Sequence, residues 1–358
     1  MAGAHDLLVS RKALAETRLS EGEIPALDDG EALLRVDAFA LTANNVTYGA
    51  FGDAMRYWNF FPAEAGWGRV PVWGFATVLG SKAEGVSPGK RVYGYLPMST
   101  HLKVKPERVS AAGFNDGADH RRDLPAAYQR YTFCDTDPLY TPESEALQMI
   151  YRPLFTTSFL LDDLLVDNAL YGAKQVLVSS ASSKTAFGMA QLLHHRGVDV
   201  IGLTAPRNAR FAALLDVYKR VVTYPDIATL DGHVATAFVD IAGNADVRAR
   251  VHRHYGDALK LSLQVGATHW EQGAGADSLP GPKPEFFFAP DRITKRIADW
   301  GADGFAARSA DAFANFLPSA AASTKIVVDR GLEAAGRVFA AHATGAAFPR
   351  DGHIIDLR

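Results

Sequence analysis

The stretch VLVSSASSKTAFGMAQLL, residues 176–193, is the part of the sequence that decides the fold. A β-branched apolar run leads into small residues and then into an amphipathic run in which Phe187, Ala190 and His194 recur at helical spacing. Gly197 follows as a helix stop signal. A strand, a tight turn and a helix in this order are typical of a phosphate-binding site, but this turn has serines where glycines are usual.

The middle of the chain continues with apolar runs that alternate with helical patterns, as in parallel βαβ units. The candidate strands are QVLVSS, DVIGLTA, RVVTY, TAFVDIAG and LKLSLQVGAT. Because parallel strands joined by helices form an open sheet covered on both faces, we predict a doubly wound α/β domain over residues 151–318.

The flanking regions have a different pattern. Residues 1–150 contain short β-branched runs broken by turn signals, which predict a β-rich domain. Residues 319–358 predict a strand, a helix and a strand that return to this first domain. The polar, turn-prone residues 110–142 are predicted to be an insertion or long loop over the surface. Its tyrosines either line a pocket or, as we favour, pack exposed against the β-rich domain; they are Tyr128, Tyr131 and Tyr140.

The serine-rich turn can still bind phosphate. Dinucleotide folds place glycines there because the backbone must approach the pyrophosphate closely, and the small side chains of residues 181–186 also permit this approach. Hydroxyl groups and an ammonium group could also hydrogen-bond phosphate directly. The predicted phosphate-binding residues are Ser182, Ser183, Lys184 and Thr185.

Two other interpretations of the turn stay open. SSKT followed by FVDIAG is superficially similar to a P-loop with its later Asp-x-x-Gly, which would bind a triphosphate and magnesium. A P-loop, however, needs glycines where this chain has Val178 and Ser183. The second alternative is a serine-capped helix start that binds no ligand.

The second strand of the sheet distinguishes between the nicotinamide dinucleotides. A carboxylate at its end would accept hydrogen bonds from a free ribose hydroxyl, whereas small polar and basic residues suit a 2′-phosphate. VIGLTAPRNAR has Thr204, Arg207, Asn208 and Arg210 and no carboxylate, which favours NADPH. Each arginine alone could equally be a solvated surface charge.

The composition of the whole chain excludes several functions. With 358 residues and a formal charge of −3, the protein has no basic field that would attract nucleic acid. No stretch approaches eighteen consecutive apolar residues, so we expect no membrane span. The first residues lack a signal-peptide pattern, so we expect a cytoplasmic protein. One cysteine, Cys134, excludes an intramolecular disulfide and a multi-cysteine zinc site.

The order of these segments resembles the medium-chain dehydrogenase/reductase superfamily over nearly the whole chain, especially its zinc-free quinone oxidoreductase and enoyl reductase branches. LTANNVTYGAFG is similar to the family segment beside the nicotinamide, with Thr42 and Asn45 in the places of the usual Asn and Asp. PVWGFATVLGS is similar to the Pro-Gly-x-Glu strand, with Gly74 kept and Ala76 replacing the glutamate. The tyrosine-bearing segment and EFFFAPDRITKRIADWG are similar to the subfamily of unknown function DUF2855.

This resemblance implies a GroES-like β-rich catalytic domain and a Rossmann cofactor domain that binds NADPH or NADP. It also implies further cofactor contacts, which are Thr157, Tyr224, Ala242, Gly243, Gly266, Ala267 and Thr268. The zinc enzymes of the superfamily hold their metal with cysteine, histidine and carboxylate, and ALTANN has none of these. We therefore predict no metal. Four of the eleven histidines are expected to be surface or satisfied core groups rather than ligands; they are His194, His195, His252 and His254.

A hydride reductase without metal needs a hydroxyl, amide or ammonium group near the acceptor to stabilise charge and supply a proton. Tyr48 is the first candidate, with a packing aromatic as the alternative. Asn45 is predicted to orient the carboxamide or the substrate carbonyl, with an Asx turn as the alternative. Candidates for the wall of an apolar substrate pocket, or else core residues, are Trp67, Trp73 and Tyr95.

The sequence thus predicts a zinc-free, NADPH-dependent reductase that acts on an activated C=C or C=O of a moderately apolar substrate bound in a cleft between domains. One alternative is a cofactor-binding relative without catalysis that serves as a sensor or scaffold, and another is a P-loop-like phosphotransferase. LKLSLQVGATHW and EFFFAP are predicted to add an edge strand that forms a homodimer.

Overall fold

The computed structural model describes residues 3–265 and 279–358. These form two compact units, Met1–Ile150 together with Thr324–Arg358, and Tyr151–Ser323. The strands are β1 (Ala4–Ser10), β2 (Thr17–Gly22), β3 (Ala32–Leu41), β4 (Trp67–Gly68), β5 (Pro71–Ser81), β6 (Arg91–Pro97), β7 (His101–Val104), β8 (Pro106–Ser110), β9 (Gly113–Asp116), β10 (Arg130–Phe133), β11 (Gln175–Val178), β12 (Asp199–Thr204), β13 (Arg220–Thr223), β14 (Thr236–Asp240), β15 (Leu259–Gln264), β16 (Glu285–Phe286), β17 (Lys325–Arg330) and β18 (Asp351–Asp356). The α-helices are α1 (Ala43–Ala50), α2 (Glu145–Asp167), α3 (Lys184–His195), α4 (Ala209–Leu214), α5 (Ala245–Tyr255), α6 (Ala289–Ser323) and α7 (Gly331–Ala343).

The first unit is β-rich. A small antiparallel sheet has the order β2-β1-β4, and a larger sheet has the order β17-β18-β3-β5-β6-β10-β9-β8, with β7 also paired to β3. In β3 every residue except Arg35 is buried, because strands at the centre of a folded sheet are covered on both faces. The core contains aromatic side chains from strands and from α7, among them Phe39, Phe114 and Phe339.

The prediction of a surface loop over residues 110–142 was wrong. Part of this segment forms β9 and β10, which pair with each other, and β10 also pairs with β6. Tyr131 is completely buried, and its ring stacks on Phe114 with centroids 5.2 Å apart. Both strands have four residues, so their alternation of polar and apolar residues is too short to stand out among turn signals.

The second unit has the predicted parallel sheet. Its order is β13-β12-β11-β14-β15-β16, and all neighbours run parallel. All five candidate strands lie in it. Numbered from β11, this is the 3-2-1-4-5-6 order of dinucleotide-binding sheets, in which ligands bind outside the carboxyl ends where the order reverses. Here the reversal lies between β11 and β14.

Gly202 brings the turn after β11 close to β12. A Cβ atom at this position would lie 2.8 Å from Cβ of Ala181 and 3.1 Å from the ring of Tyr218. The hydroxyl of Tyr218 donates a hydrogen bond to the carbonyl of Ala181 at 2.7 Å. The glycine therefore fixes the position of the turn through close packing rather than by lying within it.

Within the described residues, every helix is either too short or too polar to cross a membrane.

Candidate functional site

The turn between β11 and α3 holds a serine in a conformation that favours glycine. Ser180 has a φ of 54°, in the left-handed region. Its N–H donates to the hydroxyl of Tyr224 at 3.0 Å, and its carbonyl accepts from Ser183 N at 2.7 Å. Ala181 N donates to the carbonyl of Leu203 at 2.9 Å. Hydrogen bonds to β12 and to the end of β13 thus stabilise a glycine-like turn without glycine.

The start of α3 is fixed by a cap and by α2. Ser183 is the N-cap residue, and its Oγ accepts from Ala186 N at 3.2 Å. Ser158 of α2 donates its hydroxyl to the carbonyl of Thr185 at 2.8 Å. A Cβ atom at Gly188 would lie 2.8 Å from Oγ of Ser158, so glycine allows α2 and α3 to approach. The first turn of α3, with its backbone N–H groups and the positive end of its dipole, is therefore held rigidly beside the carboxyl end of β11.

A buried carboxylate joins the two turns at the reversal of the sheet. Asp240 is completely buried, and its Oδ1 accepts from Ser179 Oγ at 2.8 Å and from Gly243 N at 3.0 Å. Ala242 N donates to the same Ser179 Oγ at 2.9 Å, and Arg248 donates to Oδ2 at 3.1 Å. Burial raises the pKa of Asp240, and these hydrogen bonds oppose that shift. The segment after β14 is thereby held beside the segment after β11.

The end of β12 has the polar and basic groups that the sequence indicates. Thr204 is buried, with its hydroxyl 3.4 Å from that of Ser182. Arg207 and Arg210 are exposed, and neither has a hydrogen bond or ion pair with another described residue. Residues 204–210 contain no carboxylate. This edge of the sheet therefore presents uncompensated positive charge.

The structure brings most of the predicted cofactor residues of this unit to the carboxyl ends of neighbouring parallel strands. Thr157, half-buried on α2, adjoins Ser158, which bonds α3. Gly266, Ala267 and Thr268 lie outside the described residues. The residues that share the carboxyl edge are Ser182, Ser183, Lys184, Thr185, Thr204, Tyr224, Ala242 and Gly243.

In the first unit, Asn45 has a structural role, in a helix capping box and not in the Asx turn that was the alternative. Its Oδ1 accepts from Thr42 N at 2.8 Å, which completes a capping box at the start of α1. Its Nδ2 donates to the carbonyl of Pro71 at 3.0 Å. One end of the amide therefore caps α1, and the other end attaches α1 to β5.

Tyr48 belongs to a group of aromatic residues that we call the tyrosine cluster: Tyr48, Tyr57, Trp73, Tyr95 and Tyr128. Ring centroids of Tyr48 lie 4.8 Å from Tyr57 and 5.5 Å from Tyr95, and those of Tyr95 and Tyr128 are 4.7 Å apart. The indole Nε1 of Trp73 donates to the hydroxyl of Tyr48 at 3.2 Å. Burial raises the pKa of Tyr48, of Tyr95 and of Tyr128, so these phenols keep their protons at neutral pH.

Residues 39–347 match the family described as "Protein of unknown function (DUF2855)". The chain belongs to the DUF2855 family. No curated protein matches it in sequence.

Solved structures share the DUF2855 fold at low identity. CurA from Vibrio vulnificus in complex with NADPH is 15% identical, with a TM-score of 0.64 and 99% of each chain covered. The yhdH oxidoreductase from Salmonella enterica in complex with NADP is 14% identical, with a TM-score of 0.56 and 99% of this chain and 100% of that one covered. The ETR1P/NADP/crotonyl-CoA complex is 10% identical, with a TM-score of 0.56 and 100% of both chains covered. These similarities confirm the predicted two-part α/β fold.

Sequence reasoning missed three residues of the candidate sites. Ser179 and Asp240 were present in the patterns SSASS and FVDIAG, where an aspartate three residues before a glycine was the available signal. Tyr57 had no local signal, whereas Tyr128 was named for its pocket alternative and does pack on Tyr57 and Tyr95. Trp67, a candidate for the pocket wall, instead lies in β4 under the guanidinium of Arg18, 4.2 Å from its ring centroid.

The histidines of this DUF2855 protein follow the prediction of core or surface groups. His252 is buried, with Nδ1 2.8 Å from the carbonyl of Pro280 and Nε2 2.8 Å from the hydroxyl of Ser262. His194 and His195 are exposed at the end of α3. In residues 3–265 and 279–358, no three side chains of histidine, cysteine, aspartate or glutamate form a group that could hold a metal ion.

Proposed function

We propose that this protein is an NADPH-dependent oxidoreductase that reduces an activated C=C or C=O of a moderately apolar substrate without zinc. The observation that carries the proposal is the carboxyl edge of the second sheet, where a rigid helix start adjoins two exposed arginines and where residues 204–210, at the end of β12, contain no carboxylate. A cytoplasmic location is part of the same proposal.

The residues present fit a phosphorylated dinucleotide. The first-turn N–H groups of α3 and the hydroxyls of Ser182 and Thr185 would hold the pyrophosphate, since a helix start favours anions. Arg207 and Arg210 would bind the 2′-phosphate, because their guanidinium groups are not neutralised by a partner among the described residues. Ser180 gives this turn the left-handed backbone that glycine usually supplies.

Three similar folds support the cofactor. CurA is described in complex with NADPH, yhdH in complex with NADP, and ETR1P in complex with NADP and crotonyl-CoA. Crotonyl-CoA has a C=C bond conjugated to a thioester carbonyl, so one of these folds accommodates an activated alkene.

The first unit would supply the proton. Bound NADPH supplies a hydride to the electron-poor carbon, and charge then develops on the acceptor. Tyr48 would donate its phenolic proton to that charge, and the Trp73 N–H that its oxygen accepts would stabilise the resulting phenolate. Asn45 is then a positioning residue, because it fixes α1, on which Tyr48 lies.

A cofactor-binding protein without catalysis is the second candidate. Tyr48 is only 5% exposed and the amide of Asn45 is committed to the fold, which favours this candidate. The sheet order of the dinucleotide fold, in contrast, gives no support to a P-loop phosphotransferase.

Nucleotide binding tests the proposal directly. We expect calorimetry to show NADPH binding that is much tighter than NADH binding, with no binding of ATP and magnesium. Replacing both Arg207 and Arg210 by glutamate removes two charge-assisted hydrogen bonds, so NADPH affinity should fall about 100-fold while NADH affinity changes little. The matched control is Arg253→Glu, at an exposed arginine on α5.

Turnover separates the two candidates. Oxidation of NADPH with a quinone, an enone or an aldehyde supports the reductase, whereas tight NADPH binding without turnover on any of them supports the non-catalytic candidate. Absence of NADPH binding would overturn both.

A further inference from the structure

The edge strand β17 has an unusual exposure of apolar side chains. It is the last strand of the large sheet of the first unit, and among the described strands it pairs only with β18. Ile326 is 37% exposed and Val328 is 57% exposed. An open strand edge with apolar residues is a template for pairing with another chain.

The opposite edge of the same sheet is protected. In β8, Glu107 and Arg108 are exposed, Arg108 has a φ of 50°, and the pairing with β9 shifts in register there. Charges, a left-handed residue and a bulge are common means of preventing edge pairing. β17 has regular pairing along its whole length instead, in register with β18 from Lys325 to Arg330.

The backbone of β17 determines which groups face outward. Lys325 N donates to the carbonyl of Arg350, which precedes β18, so the N–H and C=O of Lys325 point toward that strand. Because these groups alternate along a parallel strand, those of Val327 and Asp329 also point inward, and those of Ile326 and Val328 point outward. Ile326 and Val328 thus combine free backbone groups with exposed apolar side chains.

We propose that β17 pairs antiparallel with β17 of a second copy of this chain, around a two-fold axis at Val327. In an antiparallel pair, a residue whose N–H and C=O point outward must lie opposite another such residue. Because these residues alternate along β17, the two-fold axis must pass through a residue and not between two residues. At Val327 it places Ile326 opposite Val328 and Lys325 opposite Asp329, so apolar residues and opposite charges meet. An axis at Val328 would instead oppose Ile326 to Arg330.

Neighbouring axes match less well. An axis at Ile326 opposes Lys325 to Val327, and an axis at Asp329 opposes Val328 to Arg330. The register at Val327 alone pairs Lys325 with Asp329, so charge complementarity selects a second copy as the partner and selects the register. The pairing gives an isologous interface that closes as a dimer.

Sedimentation over a concentration series tests whether the protein dimerises through β17. The wild-type protein should approach twice 38.6 kDa as its concentration rises. Val328→Lys should weaken association about tenfold or more, because it places an ammonium group against Ile326 in both halves of the interface. Val109→Lys is the matched control, since Val109 is an exposed apolar residue on β8, and it should leave the dimer unchanged.

A cross-link tests the register. Val327 would lie opposite its own copy in a non-hydrogen-bonded pair, where Cα atoms about 4.5 Å apart permit a disulfide. Val327→Cys should form a covalent dimer under mild oxidation, whereas Val328→Cys should not, because its opposite residue is Ile326. The single native cysteine, Cys134, is buried and gives no background.

A charge exchange provides an independent test. Lys325→Asp places two carboxylates opposite each other and should weaken the dimer, and Lys325→Asp combined with Asp329→Lys should restore it. The proposal is overturned if the wild-type protein stays monomeric up to its highest soluble concentration, or if Val327→Cys forms no cross-link. It is also overturned if Phe286→Lys abolishes the dimer and Val328→Lys does not. The last result would assign dimerisation to β16, the edge of the second sheet, where Phe286 is 50% exposed.

Discussion

The phosphate turn of the second unit and the tyrosine cluster of the first unit are assembled in opposite ways. The turn and the helix start are contributed by residues 179–186, next to one another in sequence. The tyrosine cluster takes its members from α1, β5, β6 and two 3-10 helices, Tyr57–Asn59 and Ala126–Tyr128. Local sequence therefore determines the phosphate turn, whereas tertiary packing creates the tyrosine cluster.

The two sites also differ in what holds them. Hydrogen bonds to backbone groups fix the turn, with Ser179 and Asp240 at its centre. Burial of aromatic rings fixes the tyrosine cluster. The same unit also has a buried ion pair, Arg121 with Asp116. Changes to the ion pair should therefore cost the most stability, and changes to the turn should be smaller and local.

The largest expected effect is on the buried pair Arg121 and Asp116. Arg121 is 1% exposed, its NH1 lies 2.8 Å from Asp116 Oδ2, and its Nε donates to the carbonyl of Phe60 at 3.1 Å. Arg121→Met leaves the carboxylate buried without its partner, which should lower the free energy of unfolding by about 3–5 kcal/mol. Chemical denaturation measures this.

The control for Arg121 is Arg122→Met, whose side chain is 65% exposed and pairs with an exposed Asp119. That change should cost well under about 1 kcal/mol. If Arg121→Met were equally mild, the buried ion pair would not be a main source of stability in the first unit.

The next largest effect concerns catalysis by the tyrosine cluster. Tyr48→Phe removes the proposed proton donor but keeps the ring packed against Tyr57 and Tyr95, so kcat should fall about 100-fold or more with unchanged NADPH affinity. Steady-state oxidation of NADPH measures kcat. Tyr140→Phe is the control, because the Tyr140 hydroxyl donates to Glu145 outside the cluster. A kcat within twofold of wild type would remove Tyr48 from the mechanism.

The sequence was sufficient for the second unit and only partly sufficient for the first. The parallel strands are continuous apolar runs, and the turn after β11 has small residues before a helical pattern, so both have local signals. β9 and β10 are too short for such a signal, although their side chains reach the core. Tyr57 and Tyr128 meet because of the fold, with ring centroids 6.0 Å apart across 71 positions of sequence.

The role of Asn45 shows a second limit of sequence. An asparagine can form a local turn as well as contact a substrate, and the two roles use the same atoms. Only the positions of Thr42 N and Pro71 O show that the amide is already bonded at both ends. Ser183 was easier to interpret, because a cap and a phosphate contact can coexist at one helix start.

A smaller effect is expected at that cap. Ser183→Ala removes the hydrogen bond to Ala186 N and should lower the stability of the second unit by about 1 kcal/mol. Ser183→Thr keeps a hydroxyl and should retain most of that stability. Chemical denaturation, followed by a spectroscopic signal from the second unit, measures the stability of both variants. Equal stability of the alanine and threonine variants would show that packing by α2, rather than the cap, fixes the start of α3.

The smallest effect is a pH dependence from His252 in the second unit. Burial lowers the pKa of His252, so the folded state keeps the ring neutral while the unfolded chain takes up a proton below its ordinary pKa of 6.5. The unfolded state then binds more protons, so stability is complete above about pH 6.5 and falls as the pH decreases through that value. Protonation would also place a hydrogen on Nε2, which could then no longer accept a hydrogen bond from the hydroxyl of Ser262. Denaturation midpoints at about pH 7.5 and about pH 5.5 should differ more in the wild type than in His252→Gln. An identical difference in both proteins would show that other groups, such as the partly buried His101 of the first unit, account for the acid sensitivity.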